Sequence, residues 1–264
     1  MRKIFLILFL PFFLFLGASD ATPPPGDEMR PVLAMGEKPE KTPGAPKVAI
    51  IIDDLGRSLD IVHSFLDLEI PLAFAILPRS AYSGEIAELV HARGMNVLFH
   101  IPMEPHQYPK VHAGAYSLLS SMKPKELERT LKEGLKTVPY VVGANNHMGS
   151  KLTENSAAMR IILECLGNLN LFFVDSVTSP KSKAYRLARE IGVRTAKRDI
   201  FLDSQKERGF IVRQFQELKR SALAEGASIG IGHPNPTTLS VLREMIPRFK
   251  EAGIQFVLVS ELVR

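Results

Sequence analysis

Residues 47–56 read KVAIIIDDLG, a short apolar run that ends in two carboxylates and a glycine. The run is continuous and rich in β-branched residues, which is typical of a strand buried on both faces of a parallel sheet. Neighbouring side chains in a strand point to opposite faces, so we expect Asp53 and Asp54 to point in opposite directions. One carboxylate would then bind a metal while the other orients water, although the pair also suits a helix-capping turn.

Short apolar runs of the same kind recur along the chain, and longer amphipathic segments separate them. The predicted strands cover residues 48–52, 72–76, 96–99, 140–142, 171–174, a weak one near Val193, 227–231 and 255–259. The predicted helices cover residues 59–68, 84–93, 121–136, 153–166, 183–191, 206–225 and 238–252. This alternation predicts an α/β protein with a parallel sheet. Roughly eight units in this length favour a closed (β/α)7-8 barrel over a doubly wound open sheet.

The chain before Lys47 differs in composition from the rest. Arg2 and Lys3 precede an apolar run and then small residues, which predicts a signal peptide over residues 1–21. Residues 22–46 are rich in Pro, Glu and Lys and predict a disordered linker to a folded domain over residues 47–264. We therefore expect an exported protein, periplasmic or secreted, with no stable membrane span after signal cleavage. An uncleaved membrane anchor is the alternative.

The overall composition is that of an ordinary globular protein. Of 264 residues, 45% are hydrophobic and 23% are charged, and the net charge is +5. No basic run is interleaved with aromatic residues, so nucleic-acid binding is not predicted, whereas weak attraction to anionic envelope polymers is compatible with the charge. Cys165 is the only cysteine, which excludes an internal disulfide.

Polar residues follow most of the predicted strands at their carboxyl ends. They are Asp53 and Asp54 after the first strand, His100 and Glu104 after the third, Asn145, Asn146 and His147 after the fourth, Asp175 after the fifth, Asp199 and Asp203 after the sixth, and His233 after the seventh. A barrel gathers such residues into one pocket at its carboxyl-end rim. Three histidines with several carboxylates predict a metal or acid–base site, and this donor set suits one Zn²⁺ or another divalent first-row ion that activates water.

These motifs together resemble the divergent polysaccharide deacetylase family, a group related to NodB-type carbohydrate esterases. The matching segments are IIDDLG at 51–56, HIPMEP at 100–105, NNHMGS at 145–150, FVDS at 173–176, DIFLD at 199–203 and GIGHP at 230–234, and the resemblance covers residues 47–264. It implies a distorted (β/α) barrel that uses a divalent metal to remove N- or O-acetyl groups from sugars.

The resemblance also implies roles for individual residues. Asp53 resembles the family's catalytic base and Asp54 its metal-binding neighbour. His100 resembles the first ligand of the family's His-x-x-x-His motif, but Glu104 stands where the second histidine is expected. Either Glu104 ligates the metal or another strand end supplies the ligand, and we favour His147 because imidazole then replaces imidazole. His233 resembles the histidine that protonates the leaving group.

The remaining polar residues at the strand ends are predicted to bind substrate or to support the site. They are Glu104, if it does not ligate the metal, and Asn146, Asp175, Asp199 and Asp203. The family's Asp-x-x-Asp-Trp motif is not present, and the sequence has no tryptophan to stack on a sugar.

Three functions compete at this stage. The first is a metal-dependent hydrolase of an amide or ester on an envelope or extracellular polysaccharide. The second is a non-catalytic glycan-binding or envelope-assembly protein that uses the same barrel. The third is a metal-dependent hydrolase of a substrate other than a sugar, since barrels host many chemistries.

Overall fold

The computed structural model of the protein describes residues 44–264, so the predicted signal peptide and nearly all of the predicted linker lie outside the described residues. The strands are β1 (Lys47–Leu55), β2 (Ala73–Ile76), β3 (Asn96–Met103), β4 (Val141–Met148), β5 (Phe172–Asp175), β6 (Thr195–Lys197), β7 (Ile200–Phe201), β8 (Ala227–Gly232) and β9 (Gln255–Phe256). The α-helices are α1 (Leu59–Leu66), α2 (Ser83–Ala92), α3 (Pro124–Leu135), α4 (Ser156–Asn168), α5 (Ala184–Glu190), α6 (Arg208–Glu225) and α7 (Pro236–Glu251).

The strands form one curled parallel sheet in the order β6-β5-β4-β3-β2-β1-β8-β7, and β9 pairs with the start of β1. β6 and β7 lie at opposite ends of this order although they are neighbours in sequence. The amide of Arg198 donates to the carbonyl of Asp175 in β5, and the amide of Asp199 donates to the carbonyl of Ile229 in β8. The segment between β6 and β7 therefore contacts both edges of the sheet. The predicted α/β class and distorted (β/α) barrel are confirmed.

The strands differ from the prediction mainly at their carboxyl ends. β3 and β4 pair without interruption from Leu98 and Gly143 to Met103 and Met148. Their polar residues consequently lie within the strands and not in the loops after them. At the other extreme, the predicted strand at 255–259 is paired as a strand only over Gln255–Phe256.

Two of the α-helices, α4 and α7, begin after an asparagine whose side chain accepts their first amides. The predicted helix at 153–166 begins at Ser156, because the side-chain oxygen of Asn155 accepts the amides of Ala157 and Ala158. The hydroxyl of Thr153, the first residue of the predicted helix, donates instead to the carbonyl of Gly149. Across residues 44–264, no helix combines the length and the apolar character needed to cross a membrane.

The barrel interior and the helix-facing layer alternate along β1. Val48, Ile50 and Ile52 pack against the helices, whereas Ala49 and Ile51 belong to the apolar cluster inside the barrel. Asp53 follows Ile51 in the same alternation, so its side chain lies above the interior core. The carboxyl end of the interior is therefore polar while the lower layers are apolar.

The interior is filled closely enough that one position must be glycine. A Cβ atom on Gly143 of β4 would lie 2.3 Å from the ring of Phe172 in β5. That ring is fully buried inside the barrel. An aromatic ring of β5 therefore packs directly on the backbone of β4.

Candidate active site

Strand register brings two imidazoles and a carboxylate together at the rim. His100 of β3 pairs with Asn145 of β4, and Pro102 pairs with His147, so these side chains share one face. Asp54 Oδ1 lies 3.0 Å from His100 Nε2 and 2.7 Å from His147 Nδ1. One potential ligand atom from each of the three residues lies within 4.8 Å of the others.

Asp54 reaches this cluster because the end of β1 is irregular. The register of β1 against β2 shifts between Ile52 and Leu55, and Asp54 has a left-handed backbone with φ of 57°. His100 Nε2 lies 3.0 Å from Asp54 Oδ1 and 3.7 Å from Asp53 Oδ2. The expectation that the two carboxylates point in opposite directions is therefore wrong, because it assumed regular extended backbone.

The donor set of this cluster fits a single divalent cation. Two imidazole nitrogens and one carboxylate oxygen, with the remaining side open to a cavity, are typical of a catalytic zinc site. His100 Nδ1 is hydrogen-bonded to the side-chain oxygen of Asn145 at 2.8 Å. This bond holds Nε2 toward Asp54, as the outer contacts of metal-binding histidines usually do.

Glu104 lies outside the cluster. Its buried carboxylate accepts the amide of Ser120 and the ammonium of Lys151, each at 2.7 Å. Burial opposes ionisation, but these hydrogen bonds outweigh it and hold the pKa of Glu104 below its ordinary value. Glu104 thus joins the loop after β3 to the loop after β4, and the histidine that stands beside Asp54 and His100 is His147.

Asp53 lies beneath the cluster and is buried. The side-chain nitrogen of Asn145 donates to its Oδ1 at 2.7 Å, which leaves Oδ2 facing His100. Burial raises the pKa of Asp53, and the nearby His100 and His233 offset part of that rise. For Asp54, burial is outweighed by the hydrogen bonds of His100 and His147, which hold its pKa far below the ordinary value.

His233 faces the cluster from the end of β8. Its Nδ1 lies 2.8 Å from Asp203 Oδ1, and its Nε2 lies 3.6 Å from Asp54 Oδ2. Asp203 also accepts the backbone amide of His233 and the hydroxyl of Thr238. Burial disfavours the imidazolium, but the hydrogen bond and charge of Asp203 outweigh it and raise the pKa of His233 to about 9. Asp203 is therefore a supporting residue that orients His233.

Two cavities open on either side of Asp54 and His147. The one we call the His233 cavity has a volume of about 440 Å³ and is lined by Asp53, Asn146, Ser176, Arg198, Phe201 and His233 among others. The one we call the Arg57 cavity has a volume of about 420 Å³ and includes Arg57, Arg79, Ser80 and His112 in its lining. A ligand centred on the cluster has room to extend both ways.

The other predicted site residues occupy supporting or remote positions. The side-chain oxygen of Asn146 accepts the amide of Ser176 at 2.9 Å and so fixes a wall of the His233 cavity. The carboxylate of Asp175 accepts the amides of Val177 and Tyr185 and holds the loop after β5. Asp199 lines neither cavity, because its carboxylate accepts the amide of Ile229 at the edge of β8.

Arg198 belongs to the site although it lies outside all of the motifs quoted above. The guanidinium of Arg198 donates to the carbonyls of Ser176 and Val177 and lies 4.7 Å from the ring centroid of Phe201.

Four lining residues other than glycine have left-handed backbone: Asp54, Arg79, Met148 and Val177. Such conformations cost roughly 1–3 kcal/mol each and tend to cluster at functional sites.

Comparison with solved structures identifies the class of protein. The fold matches an uncharacterised protein, ATU2773, from Agrobacterium tumefaciens C58 with a TM-score of 0.78 and 24% identity, over 83% of this chain and 89% of that one. It also matches the catalytic domain of a peptidoglycan N-acetylglucosamine deacetylase from Eubacterium rectale with a TM-score of 0.51 and 11% identity, over 82% and 89% of the two chains. The protein therefore has the fold of NodB-type deacetylases.

Sequence comparison then gives the family. The profile of the divergent polysaccharide deacetylase family matches residues 50–263, and the chain belongs to that family. It is 38% identical over 202 residues to the uncharacterised Escherichia coli K12 protein YibQ, a region that covers 76% of this chain but 63% of YibQ. It is 34% identical over 218 residues to an uncharacterised Haemophilus influenzae protein, which covers 83% and 77% of the two chains.

Proposed function

We propose that this protein is a metal-dependent hydrolase that removes acetyl groups from an N- or O-acetylated polysaccharide. The observation that carries the proposal is the cluster of Asp54, His100 and His147 above the buried carboxylate of Asp53, with His233 facing it. Membership in a deacetylase family supports an acylated glycan as the substrate.

Asp54, His100 and His147 would hold one divalent cation, and the mixed nitrogen and oxygen donors favour Zn²⁺. A cation bound there polarises an acyl carbonyl and makes a water molecule more acidic. Asn145 supports this site because its side-chain oxygen holds the ring of His100. Glu104 is not required for binding, since Lys151 and Ser120 already engage its carboxylate.

Two residues of the chain would move protons during hydrolysis. Asp53 accepts a proton from the attacking water through Oδ2, because Oδ1 is occupied by Asn145. As the acyl C–N or C–O bond breaks, His233 donates the proton on Nε2 to the departing nitrogen or oxygen. Its Nδ1 is engaged by Asp203, which leaves Nε2 as the nitrogen that faces the substrate. Each transfer is worth about 10²–10⁴-fold in rate.

The location of the reaction is part of the same proposal. The charged, apolar and small-residue pattern of residues 1–21 supports export to the periplasm or beyond, where acylated polysaccharides are found. Fractionation of cells that produce the full chain should place the protein outside the cytoplasm. Cytoplasmic protein that retains residues 1–21 would contradict export.

The decisive test is release of acetate by the purified, Zn²⁺-loaded protein from acetylated chito-oligosaccharides and from peptidoglycan. We expect release that stops with a chelator, and a loss of at least about 10²-fold in Asp53→Asn, which removes the base but keeps the shape. Asp67→Asn, an exposed carboxylate at the end of α1, is the matched control.

Absence of metal-dependent release across a broad panel of acylated glycans would overturn the proposal. If such a protein still bound glycans in the presence of a chelator, and His100→Ala bound them equally well, a non-catalytic binding role would replace it.

A further inference from the structure

The Arg57 cavity contains two cationic side chains that the proposed reaction does not use. Arg57 follows β1 and Arg79 follows β2, and both line the cavity together with Asp54 and His147 of the metal cluster. Neither guanidinium forms an ion pair or a side-chain hydrogen bond with another of residues 44–264. Asp54, the one acidic residue in this lining, is already engaged by His100 and His147.

The backbone holds the two arginine-bearing loops together. The carbonyl of Leu55 accepts the amide of Leu77 at 2.8 Å, and the carbonyl of Gly56 accepts the amide of Tyr82 at 2.9 Å. Gly56 has φ of 134°, and a Cβ atom there would lie 2.6 Å from Cβ of Ser80. The loops therefore meet at a distance that only glycine permits, which keeps Arg57 and Arg79 at the same rim.

The backbone at Arg79 is itself constrained. Its φ is 52°, which is left-handed and unfavourable for a residue with a side chain, and its amide donates to the hydroxyl of Thr137 at 3.2 Å. The hydroxyl of Thr137 in turn donates to the carbonyl of Gly134 in α3. Contacts from a neighbouring element thus fix the position from which the side chain of Arg79 reaches the cavity.

Two unpaired guanidinium groups in one cleft create a positive potential that attracts anions. Arginine binds carboxylate and phosphate groups through paired N–H donors in a planar fork. His112 adds a third basic side chain to the same lining. The His233 cavity also contains basic side chains, but they are already engaged: the guanidinium of Arg198 donates to the carbonyls of Ser176 and Val177, and His233 Nδ1 lies 2.8 Å from Asp203 Oδ1. The guanidinium groups of Arg57 and Arg79 are not engaged in this way.

We infer that the Arg57 cavity binds an anionic group of the substrate, a carboxylate or a phosphate, close to the acyl group that is removed. The inference rests on the proposed function and names its substrate class, an anionic acylated glycan. Arg57 and Arg79 are specificity residues in this scheme, and neither takes part in the chemical step.

The test compares three N-acetylated disaccharides that differ in charge. The first is a peptidoglycan-derived disaccharide with a free lactyl carboxylate, the second is its methyl ester, and the third is a phosphorylated N-acetylhexosamine disaccharide. We expect kcat/KM to be about 10–100-fold higher for an anionic disaccharide than for the ester, as one or two charge-assisted hydrogen bonds supply. The preference should shrink at high salt, because salt screens exposed charges.

Variants assign the preference to the cavity. Arg57→Gln and Arg79→Gln should each raise KM for the anionic disaccharide about tenfold and leave hydrolysis of the methyl ester unchanged. Arg93→Gln, an exposed arginine at the end of α2, is the matched control. The carboxylate and the phosphate disaccharides are then compared with each other, and the one with the higher kcat/KM carries the preferred anion.

The outcomes separate this inference from the proposed function. Equal hydrolysis of acid, phosphate and ester, with unchanged KM in both arginine variants, would overturn the inference and leave the hydrolase intact. If no disaccharide is hydrolysed, calorimetry with the anionic disaccharides decides. Binding that Arg57→Gln weakens about tenfold supports the anion site, and binding that it leaves unchanged refutes it.

Discussion

Asn145 contacts Asp53 directly and is linked to Asp54 through His100. Its side-chain oxygen lies 2.8 Å from His100 Nδ1, and its side-chain nitrogen donates to Asp53 Oδ1 at 2.7 Å. An amide offers a donor and an acceptor at once, so an aspartate at this position could not make both contacts while ionised. The residue is completely buried, so its two contacts are shielded from bulk solvent.

We predict that Asn145→Ala weakens Zn²⁺ binding about 10–100-fold, because the ring of His100 loses the contact that orients it. Calorimetric titration of metal into the purified apoprotein measures the effect. Asn168→Ala, at the exposed end of α4, is the control. An unchanged dissociation constant in a correctly folded Asn145→Ala protein would show that His100 is oriented in some other way.

Two single substitutions distinguish His147 from Glu104 as the third metal ligand. We predict that His147→Ala loses stoichiometric metal after dialysis, because it removes one of three donors, whereas Glu104→Gln keeps it. Elemental analysis of the two dialysed proteins gives the answer directly. The reverse result would assign the third ligand to Glu104.

Side-chain alternation predicts much of the site from sequence. Ile51 and Asp53 are two residues apart in β1, as are Leu98 and His100 in β3, so interior apolar positions lead directly to polar ones at the rim. The direction of Asp54 was not predictable in this way. It depends on a register shift against β2, which long-range pairing imposes and no local pattern records.

Among the elements, the loops after β3 and β4 depend on one buried carboxylate. Besides its side-chain contacts, Glu104 accepts the backbone amides of Lys151 and Leu152 at its carbonyl, each at 3.1 Å. The side chain of Glu104 is 4% exposed and that of Lys151 is 46% exposed, so the ion pair is partly screened by solvent. We therefore attribute most of the stabilisation from this contact to the hydrogen bonds that Glu104 accepts.

We predict that Glu104→Gln lowers the free energy of unfolding by about 1–3 kcal/mol near neutral pH. The native pKa of Glu104 is below its ordinary value of 4.5, so ionised Glu104 stabilises the fold above that pH. The difference between the two proteins should shrink as the pH falls below about 4.5 and through the lower native pKa. Urea unfolding at several pH values tests this, with the exposed Glu88→Gln as control; a difference that grows on acidification would contradict it.

The presence of most elements was predictable, but β7 (Ile200–Phe201) was not predicted and the ends of several elements were misplaced. The periodic patterns located the seven α-helices of residues 44–264, but α4 begins at Ser156 and not at Thr153 because a short 3-10 turn at Leu152–Glu154 intervenes. β4 was predicted at 140–142 since its later residues, Asn145 to His147, are polar. Pairing with β3 along all three residues, and with β5 at Asn145, keeps them extended in spite of their low strand propensity.

At the scale of the whole molecule, the barrel depends on how closely its interior is filled. We predict that Gly143→Ala lowers the free energy of unfolding by about 1–3 kcal/mol, because the new methyl group meets the buried ring of Phe172. Urea unfolding gives the value. Gly84→Ala in α2, where nothing lies within 4 Å of the added atom, should be neutral or stabilising. Equal effects at the two positions would mean that the interior relaxes freely.

Metal binding should be visible in the stability of the entire barrel, since Asp54, His100 and His147 come from three strands. We predict that Zn²⁺ at a hundredfold excess over its dissociation constant stabilises the fold by about 2.7 kcal/mol and that a chelator removes the gain. Thermal unfolding with and without Zn²⁺ measures it. His100→Ala should respond to neither addition, and a full response in that variant would place the bound metal elsewhere.

The alternation of strands and helices was sufficient to predict a barrel, but not how it is completed. The amides of Arg198 and Asp199, adjacent in sequence, donate to β5 and to β8 respectively. A weak apolar signal near Val193 was the only local sign of this region. Hydrogen bonds to β5 on one side and to β8 on the other hold this region extended.

The left-handed conformation of Val177, a β-branched residue with φ of 49°, has an evolutionary consequence. Glycine or asparagine would adopt this backbone conformation with less strain. Selection for heat resistance alone would therefore favour either residue at position 177. Either replacement would remove the branched surface that valine presents to the His233 cavity. A more stable protein obtained in this way would therefore have a His233 cavity of different shape.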